Sequence, residues 1–312
     1  MTFLGNPNTF ADYPLDKAGF RRRDAAWLSE ALTNDAAQLA IFHHMQPFCE
    51  EAGVLWLSGH ARDAVCGPDA LTIFLGVDDE GRPYFAADFR GDLDSAPIAG
   101  LGAFEDMRTA AARLPARDSA ILGCAKALYE WHARHTHCAN CGAPSAVADG
   151  GWKRVCAGCS SEHFPRVDPV VIMLPVLSDG VRGDRCCLGR QRRFPRGMYS
   201  ALAGFIEPGE SMEEACAREV LEEVGLTVTA VRYHSTQPWP FPSSLMIGLI
   251  CTVADDALTL DKDEIDEAIW LTREEARAAI SGGVTLPSGV RAFAPPPLAI
   301  AHQIVKAWVE EG

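Results

Sequence analysis

The 312-residue sequence has no apolar run that approaches the roughly 20 residues needed to span a lipid bilayer. Its first residues, MTFLGNPNTFADYPLDKAGFRRRD, also lack the apolar core of a secretory signal. Basic residues are scarce, since 28 lysines and arginines stand against 42 aspartates and glutamates, giving a formal net charge of -14. Such a charge disfavours unspecific adhesion to nucleic acid, so any contact with RNA must be local. We therefore expect a cytoplasmic protein with no membrane partner.

The length of the chain predicts about two domains, and 48% hydrophobic residues can supply a core for each. The eleven cysteines, in a chain without a secretory signal, indicate metal ligation or buried thiols before disulfides.

The first 122 residues show strand patterns but no catalytic constellation. Short strands are predicted at 53–57, 71–77 and 84–89, and turn-forming residues at 78–81 join the last two into a hairpin. Four residues that could form a site have no carboxylate partner at a regular spacing, which favours core or surface roles. They are His43, His44, His60 and Cys66.

Two C-x-x-C knuckles follow a helix that is predicted from about Ser119, with Asp118 as a possible cap, toward His135. The knuckle cysteines are Cys138, Cys141, Cys156 and Cys159. Fourteen residues separate the knuckles and contain a glycine turn, so a hairpin can bring four thiolates to one tetrahedral Zn²⁺. Rival ligands are His132, His135, His137 and His163, and a redox pair is the other alternative. A closed site of four cysteines predicts a structural role.

Beyond the ribbon, the apolar run 170–177 predicts a buried strand. It is followed by the one basic concentration of the chain, namely Arg182, Arg185, Arg190, Arg192, Arg193 and Arg196. Two interpretations stay open. The arginines form a solvated hairpin face, or they form an electropositive rim that attracts a diphosphate or an RNA backbone.

The stretch 204–226, GFIEPGESMEEACAREVLEEVGL, predicts a loop, a helix and a helix stop. Ser211 and Glu214 form the pattern of a capping box, and Gly225 supplies a left-handed stop. One helix face is predicted to be apolar, with Ala217, Leu221 and Val224, and the other to gather Glu219, Glu222 and Glu223. Clustered carboxylates indicate either bound hard cations or a fully solvated face.

All fixed positions of G-(5)-E-(7)-R-E-hydrophobic-x-E-E-x-G-hydrophobic are present in this stretch, which resembles the signature of the Nudix hydrolases. The resemblance implies a pyrophosphohydrolase that uses Mg²⁺ or Mn²⁺. It implies that Glu219 and Glu223 are metal ligands, that Glu222 is a further ligand or the base, and that the carbonyl of Ala203 is a backbone ligand. It also implies a structural ion pair between loop and helix, Glu210 with Arg218.

The segment 236–246, TQPWPFPSSLM, has three prolines at alternate positions that present Trp239 and Phe241 on a stiff support. These rings suit stacking with a nicotinamide or adenine ring. A proline-rich recognition segment, or an edge loop with buried aromatics, is equally compatible with the pattern.

Together with the four-cysteine ribbon and an F-P-R-x-D-P turn, this segment resembles the NADH pyrophosphatase family of Nudix hydrolases, with Thr236 replacing the family's usual serine. The resemblance implies hydrolysis of NADH or NAD⁺ to nicotinamide mononucleotide and AMP. It implies a downstream metal ligand at Glu264, with Asp263, Asp266 and Glu267 as close rivals. The implied substrate-binding residues are Phe164, Phe205, Gln237, Pro238, Trp239, Pro240, Phe241, Pro242, Ser243, Ser244 and Ala301.

We therefore predict an α+β protein with three domains. An N-terminal NADH-pyrophosphatase-like α+β domain at 1–122 and a zinc ribbon at 135–165 precede a Nudix α/β/α sandwich at 166–312. The resemblance further implies a homodimer. Three alternatives remain, namely removal of NAD caps from RNA 5′ ends, a broader Nudix activity on ADP-ribose or dinucleoside polyphosphates, and a non-catalytic ligand sensor or nucleic-acid-binding ribbon protein.

Overall fold

The computed structural model describes residues 5–178, 180 and 183–311, and the chain is built of two compact units. The N-terminal unit comprises Phe10–Val167 and Trp239–Ser243, and the C-terminal unit comprises Met1–Thr9, Asp168–Pro238 and Ser244–Gly312. Within the described ranges, every helix is too short or too polar to cross a membrane.

The N-terminal unit is built on a mixed sheet with helices packed against it. Its strands are β1 (Gln38–His43), β2 (Gln46–Glu50), β3 (Gly53–Val54), β4 (Leu57–Ser58), β5 (Thr72–Val77), β6 (Pro83–Asp88) and β7 (Ala103–Phe104). Its helices are α1 (Ala25–Leu32), α2 (Ala61–Cys66), α3 (Met107–Ala111) and α4 (Ala116–Arg134). The main strand order is β3-β2-β1-β6-β5, with β4 paired to β1 and β7 to β2. Buried rings and aliphatic chains such as Leu39, Phe48 and Phe74 fill the core.

The predicted hairpin in this unit is confirmed, because β5 and β6 pair antiparallel across Gly81, whose φ is 80°. The strand predicted at 53–57 is wrong, since the segment divides into β3 and β4, which pair with different strands. The start predicted for α4 is also wrong. The helix begins at Ala116, directly after Pro115, whose ring fixes a φ of -53° that suits a helix entry, and Asp118 lies inside the first turn.

The ribbon belongs to the same unit and contains β8 (Ser145–Ala148), β9 (Lys153–Cys156) and β10 (Glu162–His163), in the order β10-β9-β8. Asp149, Gly150 and Gly151 all have positive φ and turn the chain between β8 and β9. This hairpin sets the two C-x-x-C knuckles side by side, as their spacing predicts.

The C-terminal unit is an α/β/α sandwich, which confirms the predicted architecture. Its strands are β11 (Asp168–Ser178), β12 (Asp184–Arg190), β13 (Leu202–Phe205), β14 (Val228–Trp239), β15 (Ser244–Val253), β16 (Glu267–Thr272), β17 (Val284–Thr285) and β18 (Arg291–Ala292). Its helices are α5 (Met212–Val224), α6 (Arg273–Ile280) and α7 (Ile300–Glu310). The main sheet has the order β14-β15-β11-β12-β16, and β13 pairs with β11. Helix α5 packs on one face, and α6 and α7 pack on the other.

Candidate active site

Helix α5 begins and ends where its sequence predicts. The Ser211 hydroxyl accepts from the Glu214 N–H at 3.2 Å, and the Glu214 carboxylate accepts from the Ser211 N–H at 2.8 Å. Gly225 has a φ of 76° and donates its N–H to the carbonyl of Leu221. Both ends of the helix are therefore fixed by local hydrogen bonds, which sets the position of each residue along the helix axis.

The predicted apolar face of α5 is wrong in part. Val224 is buried, but Leu221 is 55% exposed and Ala217 is half-buried. The buried apolar residues are Ala215, Cys216, Val220 and Val224. Packing against the sheet therefore turns the helix so that Glu219 and Glu223 face inward while Glu222 faces outward. All three glutamates line one cleft, as the sequence predicts, but Glu222 is exposed at its edge while Glu219 and Glu223 are buried.

Three carboxylates converge next to this inward face. One oxygen each from Glu219, Glu223 and Glu264 lies within 4.8 Å of the other two. Glu223 is 2% exposed, and its Oε2 has no hydrogen-bond partner among the residues that the structure describes. Burial, followed by the charges of Glu219 and Glu264, raises the pKa of Glu223 to about 8.

A buried carboxylate oxygen without a donor is costly, and mutual repulsion adds to that cost. A divalent cation would supply the missing positive charge, and clustered carboxylate oxygens are the ligands that Mg²⁺ and Mn²⁺ prefer. The residues present therefore fit the metal that the sequence predicts.

Gly204 leaves the room that Glu219 occupies. A Cβ at this position would lie 1.8 Å from the carboxylate carbon of Glu219 and about as close to both of its oxygens. Any side chain at this position would displace that carboxylate. The glycine of the motif is therefore required by a close approach and not by an unusual backbone angle.

Arg218 ties the loop to the helix. Its Nε and Nη2 donate to the two carboxylate oxygens of Glu210 at 2.6 and 2.9 Å, which confirms the predicted ion pair. The same guanidinium donates to Glu219 at 2.8 Å and to Glu222 at 3.0 Å. Hydrogen bonds from Arg218 lower the pKa of Glu210 to about 2. Glu222 is thus held by Arg218 at the rim, outside the group of three carboxylates.

The other three acidic residues considered as the downstream metal ligand do not join the converging carboxylates. Asp266 and Glu267 both pair with Arg190, and the hydroxyl of Tyr199 donates to Glu267. Asp263 is exposed and lines the same cavity as Glu264, but its carboxylate is not one of the three that converge. Sequence spacing leaves four candidates, and the fold brings Glu264 to Glu219 and Glu223.

A cleft of about 650 Å³ opens over these carboxylates. Ala203 and Phe205 line it together with Arg192 and Arg193. Two lining residues, Gln191 and Glu207, were not predicted, since neither stands at a fixed position of a motif.

Only part of the predicted arginine rim reaches this cleft. Arg185 pairs with Asp256, and Arg190 pairs with Asp266 and Glu267, so both are internal ion pairs. Arg196 is exposed and does not line the cleft, while Arg182 lies outside the described residues. The rim therefore consists of Arg192 and Arg193.

The aromatic residues of the proline-rich segment form a cluster within the N-terminal unit. The ring centroids of Trp239 and Phe241 are 5.0 Å apart, and Phe10 contacts both rings edge-on. The Arg108 guanidinium lies 3.6 Å from the Phe241 centroid, and Lys126 donates to the carbonyl of Pro240 at 2.8 Å. No sequence spacing predicts Arg108 or Lys126 here, because the fold brings them from distant positions.

Gln237 has a structural role that the sequence does not reveal. It is 1% exposed, and its amide donates to the carbonyls of Thr9 and Leu298 and accepts from the N–H of Ile300. Both N–H donors of its amide are therefore used within the protein, without a ligand.

The other predicted substrate residues differ in exposure. Phe164 and Phe205 are 63% and 60% exposed, whereas Ala301 is buried in the first turn of α7. In the proline-rich segment Pro238 is exposed, Pro240 and Ser243 are buried, and Pro242 and Ser244 are half-buried. Their contacts with a substrate stay predictions.

The four ribbon cysteines are arranged as a zinc ligand set. All four sulfurs lie within 4.8 Å of one another, with Cys138 to Cys159 at 3.6 Å and Cys141 to Cys156 at 3.5 Å. A tetrahedral Zn²⁺ with bonds of about 2.3 Å requires sulfurs about 3.8 Å apart. Backbone N–H groups of Cys159 and Gly158 lower the pKa of Cys156, and Ser161 lowers that of Cys159 to about 6. Both effects favour the thiolates that zinc binds.

Comparison with known proteins finds three family models that match successive segments of the chain. Family models match as a "NADH pyrophosphatase-like rudimentary NUDIX domain" at 36–131, a "NADH pyrophosphatase zinc ribbon domain" at 133–164 and a "NUDIX domain" at 168–287.

Three curated relatives illustrate the similarity. NAD-capped RNA hydrolase NUDT12 of Macaca fascicularis is 34% identical over 97% of this chain and 73% of its own length. Mitochondrial NAD(P)H pyrophosphatase NUDT13 of Homo sapiens is 39% identical over 77% of this chain and 72% of its own. NAD-capped RNA hydrolase NudC of Mycobacterium bovis is 38% identical over 81% of this chain and 80% of its own.

Proposed function

Because the chain belongs to the NADH pyrophosphatase family of Nudix hydrolases, we propose that it hydrolyses the diphosphate bridge of NADH or NAD⁺ to nicotinamide mononucleotide and AMP. The observation that carries this proposal is the convergence of Glu219, Glu223 and Glu264 beside a cleft that Arg192, Arg193 and Arg218 line. A diphosphate is recognised by this combination of bound metal and guanidinium groups.

In this proposal Glu219, Glu223 and Glu264 hold the metal, assisted by the carbonyl of Ala203. Bound Mg²⁺ or Mn²⁺ supplies charge neutralisation of the diphosphate and a lowered pKa for a bound water. Glu222 or Glu223 accepts the proton of the attacking water. The choice between Mg²⁺ and Mn²⁺ is part of the proposal and is tested by activity with each ion.

Stacking completes the proposed substrate site. Trp239 and Phe241 would hold a planar ring, and Phe164 and Phe205 would provide further walls. The remaining residues of the proposed set are Gln237, Pro238, Pro240, Pro242, Ser243, Ser244 and Ala301. For Gln237 the observed hydrogen bonds favour a supporting role for the backbone around it over direct contact through its side chain.

The test is the substitution Glu223→Gln, which removes a metal ligand of nearly the same size. We expect loss of almost all turnover of NADH with the zinc content unchanged. Glu213→Gln is a matched control, because Glu213 is exposed on the same helix and does not line the cleft. Turnover near the normal level in Glu223→Gln would contradict the proposal.

A second candidate activity is removal of the NAD cap from RNA 5′ ends by the same site. It is favoured by the exposed Arg192 and Arg193 at the cleft, which can contact a phosphate backbone, and by the two relatives named NAD-capped RNA hydrolases. Turnover of free NADH and of NAD-capped RNA should be compared across a salt series. A steep salt dependence for the capped RNA alone supports RNA contacts, and equal dependence argues against them.

Further parts of the proposal concern the molecule as a whole. We propose domains at 1–122, 135–165 and 166–312, a cytoplasmic location and a homodimer. None of the eleven cysteines forms a disulfide, which agrees with a reducing compartment. Light scattering of the purified protein tests the dimer.

A non-catalytic sensor is the opposing hypothesis, and Mn²⁺-dependent release of AMP from NADH would reject it.

A further inference from the structure

The N-terminal unit contains a second cavity, which the proposed reaction does not use. Its volume is about 530 Å³, within the range of small-molecule pockets, and no carboxylate cluster lies in it. Its wall includes the rings of Phe42, Phe89 and Tyr129 and the side chains of Met45 and Arg154.

Arg154, on β9, is 8% exposed and has no carboxylate within ion-pairing distance among the residues described. Its guanidinium donates to the hydroxyl and the carbonyl of Ser145 and to Nδ1 of His132. These three acceptors are neutral, because His132 uses its other ring nitrogen to donate to the carbonyl of Gly151 at 2.8 Å. A buried guanidinium is thus left without a counter-charge, which is costly unless an anion binds.

The three hydrogen bonds occupy three of the five N–H groups of the guanidinium, so two remain for a ligand. Elsewhere on the cavity wall, the one carboxylate, that of Asp88, is paired with Arg90 at 2.7 Å. His43 contacts the carbonyl of Phe89 at 2.7 Å, and His44 is exposed. The charge that faces the cavity without compensation is therefore positive.

The apolar part of the cavity wall indicates which chemical group a bound anionic ligand would carry besides its charge. The rings of Phe42 and Tyr129 lie 5.3 Å apart, and Phe89 belongs to the same wall. Aromatic side chains in a pocket of this size suit a planar ring.

We propose that this cavity binds a small phosphorylated ligand with a planar ring, of the nucleoside monophosphate class, and that Arg154 holds its phosphate. The inference does not rest on the proposed catalytic function.

The test uses the full-length, zinc-loaded chain labelled with ¹³C on its methionine methyl groups. Met45 lines the cavity, so its methyl resonance reports on this site directly. The probes are AMP, inorganic phosphate and adenosine. We expect a saturable shift of the Met45 signal with AMP, a weaker effect of phosphate and the least effect of adenosine. No saturable shift with AMP up to on the order of 10 mM would overturn the proposal.

Two sets of variants separate binding from folding. Arg154→Met should weaken AMP binding by roughly ten- to a hundredfold, since a hydrogen bond to a charged group is lost. Val147, on β8, lines the cavity and is 41% exposed, so it can be replaced without disturbing the core. Val147→Glu should weaken binding several-fold relative to Val147→Lys, as expected for an anionic ligand.

Equal affinities in the matched pair at position 147 would overturn the proposal, even if Arg154→Met loses its zinc or fails to fold. Glu223→Gln serves as a further control and should leave the Met45 titration unchanged. A shift that disappears in Glu223→Gln would assign the signal to the catalytic cleft and refute a separate site.

Discussion

Metal binding at the three-carboxylate cluster should release a proton from Glu223. Burial and the neighbouring charges of Glu219 and Glu264 raise the pKa of this carboxyl to about 8 in the metal-free state. At pH 7 a group with that pKa is about 90% protonated, whereas a metal ligand must be ionised. Binding of Mn²⁺ or Mg²⁺ at pH 7 should therefore release about 0.9 proton, and at pH 9 about 0.1.

The assay is isothermal titration calorimetry of Mn²⁺ into the zinc-loaded protein, in buffers of different ionisation enthalpy. The dependence of the apparent enthalpy on that quantity gives the number of protons released. Glu223→Gln should reduce the value at pH 7 to nearly zero if it still binds metal, and the exposed Glu213→Gln should leave it unchanged. Binding at pH 7 without proton release in the wild type would refute the assignment of Glu223 as a metal ligand that is protonated before the metal binds.

The same raised pKa fixes the sign of a stability effect in the metal-free protein. Between the ordinary pKa of 4.5 and about 8, the folded state binds more protons than the unfolded state at Glu223. This group therefore makes stability fall as pH rises through that window, by at most about 1.4 kcal/mol per pH unit. Urea unfolding from pH 5 to 8 should show a shallower decline for Glu223→Gln than for the wild type, and parallel curves would contradict the burial argument.

Three further predictions follow from the geometry. Gly204→Ala should lower kcat by about a hundredfold with the fold retained, since the Cβ of the alanine would displace the Glu219 carboxylate. A near-normal kcat would mean that the Glu219 carboxylate can move without loss of activity. Trp239→Ala should raise KM for NADH about five- to tenfold through lost stacking, and an unchanged KM would argue against that role. Cys159→Ala should abolish zinc binding, measured by atomic absorption, and destabilise the ribbon. Retained zinc would indicate that His163 replaces the lost ligand, because its Nε2 lies 3.3 Å from the Cys138 sulfur.

Local patterns in the sequence were sufficient for the features that depend on neighbouring residues. The capping box of Ser211 and Glu214, the left-handed Gly225 and the hairpin between the knuckles all form as predicted. Each depends on hydrogen bonds or turns within a few residues, so short-range rules apply. The zinc ribbon and the Nudix motif were recognisable for a related reason, since each has residues at fixed spacing, whereas residues 1–122 carry no such motif.

The orientation of α5 shows where such rules end. Helical periodicity allows either the side with Leu221 or the side with Val220 to pack inward. The fold packs Val220 inward, and this orientation carries Glu219 and Glu223 toward Gly204 and Glu264. That selection depends on a sheet assembled from distant segments, which the helix sequence does not encode.

The sequence by itself was enough to identify the Nudix motif, the four-cysteine set and the turns and helix caps beside them, because these depend on residue type at short spacing. Only the tertiary structure decided which of four acidic residues joins the cluster, which arginines line the cleft, and that Arg154 lies buried without a counter-charge. The physical reason is that the cost or benefit of a charge depends on its burial and its partners, and both are contributed by residues far away along the chain.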